Sequence, residues 1–249
     1  MPVEAEVLIP QPGYKHLSQS TGFKVIILLH GANNDRSEWL LKSQIHDMVR
    51  ELPVIVFMPS GKNSFYINTW NGYRYMDFVS CEIPSFIRNH FRVSDKKEDW
   101  LIAGESMGGY GALVNGFLHP DTFGNIAQFS GALNIHEIRD ALPGIRMENL
   151  FGPNLEKAAT YDPYTLADKV PNEKRPRLFM CCGNEDMLYA ANRRFFGVVR
   201  NGYDVRASWG IGGHEFQYWN EKLKEMLVWF MEEEVSEGFM MGRNGNDFH

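Results

Sequence analysis

One stretch constrains the fold of this chain more than any other: Ala103-Gly104-Glu105-Ser106-Met107-Gly108-Gly109-Tyr110-Gly111. A short strand-like run, Trp100-Leu101-Ile102, leads into it, and a helix-like run over residues 110–118 follows. A strand that passes through G-x-S-x-G into a helix describes a nucleophile elbow, a sharp turn holding the serine hydroxyl above a sheet. The serine sits in a strained backbone conformation, and Gly104 and Gly108 leave room for the turn. Gly109 and Gly111 are expected to let the helix pack close to the strands. If the elbow is built, the rest of the chain must supply an acid, a histidine and donors for an oxyanion.

The rest of the chain alternates strand and helix patterns. Residues 6–9 read as a short edge strand and residues 14–22 as a polar turn. Phe23-Lys24-Val25-Ile26-Ile27-Leu28-Leu29 and Val54-Ile55-Val56-Phe57-Met58 are nearly continuous apolar runs. Such runs suit parallel strands buried on both faces. Further strands are expected at 126–130, 177–182 and 203–209. Helices are expected at 38–51, capped by Ser37, and at 77–91, 189–201 and 215–234. Residues 63–75 form a loop rich in aromatics and asparagine. Residues 132–176, punctuated by Pro143, Gly144, Gly152, Pro153, Pro163 and Pro171, read as an irregular insertion, a lid or a pocket wall. There is no internal repeat. The pattern predicts one α/β domain over 1–235, a mainly parallel twisted sheet with helices on both faces, and a mobile tail over 236–249.

Composition excludes several functions. The net charge of −6 is dispersed, and no basic stripe offers a nucleic-acid surface. Cys81, Cys181 and Cys182 are an odd set without regular spacing, which argues against a disulfide framework. Residues 1–6 carry no basic n-region, and no apolar stretch is long enough to span a membrane. The expectation is a cytoplasmic protein, although a secreted one with its signal removed would look the same. Its partner is a small molecule rather than a nucleic acid or a membrane, and homo-oligomerisation is left open.

In an open α/β sheet, ligands bind outside the carboxyl ends of the strands. His30, Ser106, Asp186 and His214 all fall just after strands, so they gather at one edge. A serine hydroxyl needs a base, and an imidazole oriented by a carboxylate is such a base. Of the eight histidines, only His214 lies late in the chain in a glycine-rich turn between the last strand and the last helix. Asp186 is the favoured acid, with Glu185 and Asp162 as rivals. A plain carboxylate at a helix N-terminus is the alternative reading of Asp186. The oxyanion donors are expected to be the backbone N–H groups of Met107 and Ala32. Tyr66 and Trp70 are candidate substrate contacts, with plain packing of a long loop as the alternative. His136-Glu137-Ile138-Arg139-Asp140 begins like a zinc-protease motif but lacks its second histidine. No metal and no cofactor is called for.

At this point the chain resembles the bacterial tributyrin esterase family, within the esterase D and S-formylglutathione hydrolase-like group of α/β-hydrolases. The matching pieces are Leu28-Leu29-His30-Gly31, Ser37-Glu38-Trp39-Leu40, Met58-Pro59-Ser60, Asn63-Ser64-Phe65-Tyr66 and the elbow itself. They continue with Ser130-Gly131-Ala132-Leu133, the run from Cys182 through Gly183-Asn184-Glu185-Asp186 to Tyr189, and Gly213-His214-Glu215 with Trp219. The resemblance covers residues 25–230. It implies the α/β-hydrolase fold, a Ser106–His214–Asp186 triad and an oxyanion hole from the Ala32 and Met107 amides. It also implies a serine carboxylesterase acting on acetyl or other short acyl esters, including acetylated carbohydrates, through an acyl-enzyme. Feruloyl esterase and S-formylglutathione hydrolase are the alternatives within the group. A non-catalytic hydrolase fold used as a binding module is the alternative outside enzymes. Two features depart from the family. Members usually carry another strand before the one matching residues 7–9, and Glu105 stands where relatives often have Leu, His or Asp. Tuning of the serine and inconsequential exposure to solvent both remain open for that carboxylate.

Overall fold

The apolar runs become strands because only a sheet covered on both faces can bury every residue of them. The computed structural model describes residues 3–10, 22–142 and 144–241. Its strands are β1 (Ala5–Leu8), β2 (Lys24–Leu29), β3 (Val54–Pro59), β4 (Trp100–Glu105), β5 (Asn125–Phe129), β6 (Arg177–Gly183) and β7 (Val205–Gly210). They form one sheet in the order β1-β3-β2-β4-β5-β6-β7. The β1 strand runs antiparallel to β3 at the edge, and every other pairing is parallel. Every residue of β2, β3, β4 and β5 is buried.

Alternate residues of each strand serve opposite faces. Ile27, Leu29, Ile102 and Ile126 point to one core; Ile26, Leu28, Leu101 and Ala127 point to the other. The helices in chain order are α1 (Glu38–Lys42), α2 (Ile45–Val49), α3 (Tyr75–Asp77), α4 (Ile83–His90), α5 (Met107–Leu118), α6 (Ile135–Ile138), α7 (Met147–Phe151), α8 (Pro163–Lys169), α9 (Tyr189–Val199) and α10 (Phe216–Met241). Ile83 and Ile87 of α4, Leu113 and Phe117 of α5, and Phe195 of α9 cover the first face. Trp39 of α1, Ile45 of α2, and Leu223 and Phe230 of α10 cover the second. This is the mainly parallel sheet with helices on both faces that the alternating pattern predicted, and the architecture that the family resemblance implied.

Four local readings change. The helix expected over 38–51 is two helices, because Ser43 is extended. Its hydroxyl donates to Trp39 O at 2.5 Å, beside its own N–H at 3.0 Å, and accepts from Ile45 N at 3.2 Å, so a side chain serves the amide that opens the second helix. Ser37 makes no capping bond; Asp35 Oδ1 instead accepts from Ser37 N at 2.8 Å. Residues 132–176 are not irregular but carry α6, α7, α8 and short 3₁₀ turns, which bury Ile135, Met147, Phe151 and Leu166. With α6 at four residues, α7 at five and α8 at seven, none is long enough for helical periodicity to show. Finally, α10 continues to Met241, so residues 236–241 of the expected tail are helical. The rest of that tail, and the polar turn except Gly22, lie outside the described residues. Among the described residues, no helix is long and apolar enough to cross a membrane.

Candidate active site

The position of the site follows from strand order. After β2 the chain moves to β3 on one side, then returns past β2 to β4 on the other. The loops leaving β2 and β4 therefore diverge between neighbouring strands, and a crevice opens at their carboxyl ends. His30, Gly31 and Ala32 leave β2 there, and Ser106 leaves β4. The paired ends Leu29 and Gly104 bring the two loops side by side.

Ser106 adopts φ 54° and ψ −116°, a conformation that an L-residue holds only where its surroundings enforce it. Its N–H donates to Phe129 O at 2.9 Å, and its carbonyl accepts from Ala132 N at 3.0 Å and Tyr110 N at 3.1 Å. The turn is held at both peptide groups. Gly108 is required because a β-carbon there would lie 2.4 Å from Leu29 O. Gly111 behaves differently from expectation: the space beside it is filled by the Tyr66 ring, not by a strand.

The loop after β2 is braced from several directions. His30 is buried, its Nδ1 lies 2.7 Å from Gly31 O, and Gly61 N donates to its Nε2 at 2.9 Å. A carbonyl only accepts and an amide N–H only donates, so the ring is neutral with its proton on Nδ1. Burial lowers its pKa in agreement, outweighing the Gly31 hydrogen bond and the charges of Glu38 and Asp35. Tyr66 Oη donates to His30 O at 3.0 Å, and Gly31 N donates to Glu38 Oε2 at 2.9 Å. Asn63 clasps Asn33 with two bonds, accepting from its N–H at 2.6 Å and donating to its side chain at 2.9 Å. Among the described residues, the Ala32 and Met107 amides have no hydrogen-bond partner. They stand ready for an outside acceptor.

Asp186 and His214 come from adjacent strand ends. The turn after β6 is tied to the turn after β7 by Asn184 N donating to Gly210 O at 2.8 Å and Glu185 N to Gly212 O at 3.0 Å. Gly183 permits that approach, since a β-carbon on it would lie 2.0 Å from Gly212 O. His214 Nδ1 then meets Asp186 Oδ2 at 2.9 Å, and Asp186 Oδ1 accepts from Leu188 N at 2.8 Å. The carboxylate is wholly buried, while the imidazole is 30% exposed. Burial pushes the Asp186 pKa up, but hydrogen bonds from His214, Ser130 and Leu188, with the His214 charge, outweigh it and leave it below the ordinary value. The ring therefore donates from Nδ1 and presents Nε2 as an acceptor. Trp219 packs edge-on against it at 4.9 Å and donates its Nε1 to Ser130 Oγ at 3.1 Å.

The rivals for the acid occupy other roles. Glu185 is exposed, and Asp162 caps α8 by accepting from Thr165 N at 3.1 Å. Asp186 lies just before α9, yet its second oxygen goes to His214 rather than to the helix.

Ser106, His214 and the Ala32 turn line one cleft of about 290 Å³, together with Leu142 and Trp219. Among the described residues the Ser106 hydroxyl makes no hydrogen bond. Two other clefts, of about 300 and 450 Å³, contain none of Ser106, Asp186 or His214.

Neither aromatic candidate for substrate contact lines this cleft. Tyr66 has no exposed surface and is spent on His30 and Gly111. Trp70 is exposed, but it packs on Gly152 and under Lys157, 5.3 Å from its ring, on another part of the surface. No residue of the loop over 63–75 lines the cleft; its Asn63 and Tyr66 brace the loop after β2. Of residues 132–176, Leu142 lines the cleft. Glu38, Ser130 and Asn63 were missed as contributors. Ser130 could have been found by the rule that selected Ser106, because it too follows a strand. Glu105, open to either reading in the sequence, is 2% exposed and therefore not a solvated surface residue.

Comparison with known proteins bears on this arrangement. The profile of the family described as "Putative esterase" matches residues 2–230. An acetyl esterase of Caldicellulosiruptor saccharolyticus is 34% identical over 233 residues, covering 88% of each chain. Among solved structures, the fluorophosphonate-binding serine hydrolase F of Staphylococcus aureus, in a substrate-bound form, superposes with a TM-score of 0.82 at 28% identity. It covers 91% of each chain. An S-formylglutathione hydrolase from the same organism superposes with a TM-score of 0.78, also at 28% identity and 91% coverage of each chain.

Proposed function

Because the chain belongs to this esterase family and is a serine hydrolase acting on ester bonds, we propose that Ser106, His214 and Asp186 carry its reaction. The observation that carries the assignment is the buried Asp186–His214 hydrogen bond, made by a half-buried imidazole that lines the same cleft as the strained Ser106. His214 removes the proton of Ser106 Oγ as the oxygen attacks the ester carbonyl. The Ala32 and Met107 amides hold the developing oxyanion. Collapse expels the alcohol, which takes the proton from His214, and leaves an acyl-enzyme. A water molecule, deprotonated by His214, then releases the acid and restores the serine.

The preferred substrates are esters of short acyl groups, with acetylated carbohydrates among them. Two observations support this: the relative named as an acetyl esterase, and a cleft at the small end of ligand-binding volumes. Hydrolysis of S-formylglutathione is the second reading, on the likeness to the enzyme of that name. The test is a hydrolysis profile over acetyl, butyryl and feruloyl esters and S-formylglutathione, with Ser106→Ala alongside. Fluorophosphonate should label the wild type and not the variant. The variant should lose about 10⁶-fold in kcat, the size of effect seen when a catalytic serine is removed. A fully active Ser106→Ala enzyme would sink the mechanism, and a wild type inert to the probe would favour a binding module.

A further inference from the structure

Glu105 and Glu38 form the least expected cluster in the molecule. They are 2% and 5% exposed, and both lie against Gly31 in the loop that follows β2. Both oxygens of Glu38 are occupied: Oε2 accepts from Gly31 N at 2.9 Å and Oε1 from Lys42 Nζ at 3.0 Å. The Glu105 carboxyl lies on the α-carbon of Gly31, where a β-carbon would stand 2.2 Å from Oε1 and 2.6 Å from Oε2. The neighbouring carboxyl is that of Glu38, whose charge acts on it. Glu105 Oε1 is buried and has no hydrogen-bond partner among the described residues. Both carboxyls border the cleft that contains Ser106.

Two carboxylates in contact within a buried site repel strongly if both are charged, and one proton between them turns the repulsion into a short charge-assisted hydrogen bond. Glu38 is suited to hold the charge, since Lys42 and the Gly31 amide both point at it. Glu105 is suited to hold the proton. Burial first, and then the charge of Glu38, push its pKa well above that of an ordinary carboxyl, while the Gly31 amide and Lys42 oppose this weakly.

We propose that Glu105 and Glu38 are positioning residues, a carboxyl pair sharing one proton that sets the aim of the oxyanion loop. Glu38 takes the Gly31 amide out of the cleft. Glu105 fills the space beside the Gly31 α-carbon, which a β-carbon there would contest. The next amide, that of Ala32, is thereby left as the loop's open donor. The proposal rests on the reading above, in which that amide serves the oxyanion.

The pair also makes the loop sensitive to alkali. The titratable groups around it are Lys42 beside Glu38 on α1, neutral His30 at the end of β2, and Asp35 in the loop after it. Tyr66 lies beneath, and His214 and Glu215 stand across the cleft. Lys42 is the cation on the pair, and its side chain is 49% exposed and so largely screened. Losing the shared proton leaves two negative charges against the loop. Because the folded-state pKa of Glu105 is raised, its stabilising contribution is complete below the ordinary carboxyl range. It is lost as pH rises through the folded value.

The experiment compares pH profiles of p-nitrophenyl acetate hydrolysis for the wild type, Glu105→Gln and Glu105→Leu. It adds infrared difference spectra of the same proteins in the protonated-carboxyl region. Wild-type kcat should fall on the alkaline side in a single-proton step, and a protonated-acid band should disappear through the same step. Glu105→Gln donates to Glu38 but cannot ionise, so both the step and the band should be absent. Glu105→Leu removes the donor and should lower kcat about tenfold with little change in KM, a fraction of the roughly 10² to 10³ that an oxyanion donor is worth. An alkaline step that persists in Glu105→Gln, or a wild type with no protonated-acid band, overturns the pair. If turnover proves independent of Ser106, the catalytic reading falls, while the infrared band still decides the pair.

Discussion

Replacing Asp186 by Asn tests the site through a constraint visible atom by atom. One carboxylate oxygen accepts from Leu188 N and the other from His214 Nδ1, at 2.8 and 2.9 Å. An amide has one acceptor and one donor end. Leu188 N–H can only donate, so the Asn oxygen must face it and the NH₂ must face His214. The imidazole then has to accept at Nδ1, and its proton moves to Nε2. In that tautomer it cannot take the proton of Ser106. The expected loss is about 10⁴-fold in kcat, the effect of the same tautomer error in a triad. At 1.36 kcal/mol per tenfold, this is about 5 kcal/mol of transition-state stabilisation. Folding should suffer far less, because both hydrogen bonds survive and only their charge assistance is lost. That costs about 1 kcal/mol and about 2–4 °C in Tm. Steady-state kinetics on p-nitrophenyl acetate with thermal melts of the same preparation measure both effects. The tautomer is read directly from ¹⁵N shifts of the His214 ring. A folded Asp186→Asn enzyme within tenfold of wild-type kcat would refute the reasoning.

Tyr66→Phe should behave as a loop mutation, because it removes the buried donor to His30 O. The expected cost is about 1–3 kcal/mol of stability, together with a fall in kcat; a substrate-contact role would instead raise KM and spare the melting temperature. The pKa of His30 is lowered by burial, so the unfolded chain takes up its proton first as pH falls below about 6.5. Denaturant midpoints should therefore drop on that side of neutrality, and the drop should be smaller in His30→Gln. Identical slopes for the two proteins would remove His30 as its source.

The large features of the fold were legible because they depend on local pattern. β2 and β3 announce themselves as unbroken apolar runs, and Ser106, Asp186 and His214 each follow a strand closely enough to be found by counting. The π turn over Phe78–Glu82, which joins α3 to α4, and the break at Ser43 were invisible. Both are single-residue adjustments inside an amphipathic pattern that hardly changes across them. The short helices of 132–176 were also hidden. Tertiary burial, rather than propensity, stabilises such helices.

Tyr66 shows the limit from the other side. An aromatic in a long loop after a strand is a fair candidate for binding substrate. Nothing local says that its ring will instead fill the space beside Gly111, with its hydroxyl on His30 O.

The sequence alone determined that a parallel sheet would present a serine, a carboxylate, a histidine and a glycine-bearing loop at one edge. Spacing relative to strand ends is a short-range property. Only the tertiary structure decided how those groups meet. The return of the chain past β2 places the Ala32 loop beside the Ser106 elbow, and paired turns after β6 and β7 bring Asp186 to His214. It also decided that Glu105 faces Glu38 instead of water. Charge, burial and hydrogen-bond partners come from residues distant in the chain, and no local pattern carries them.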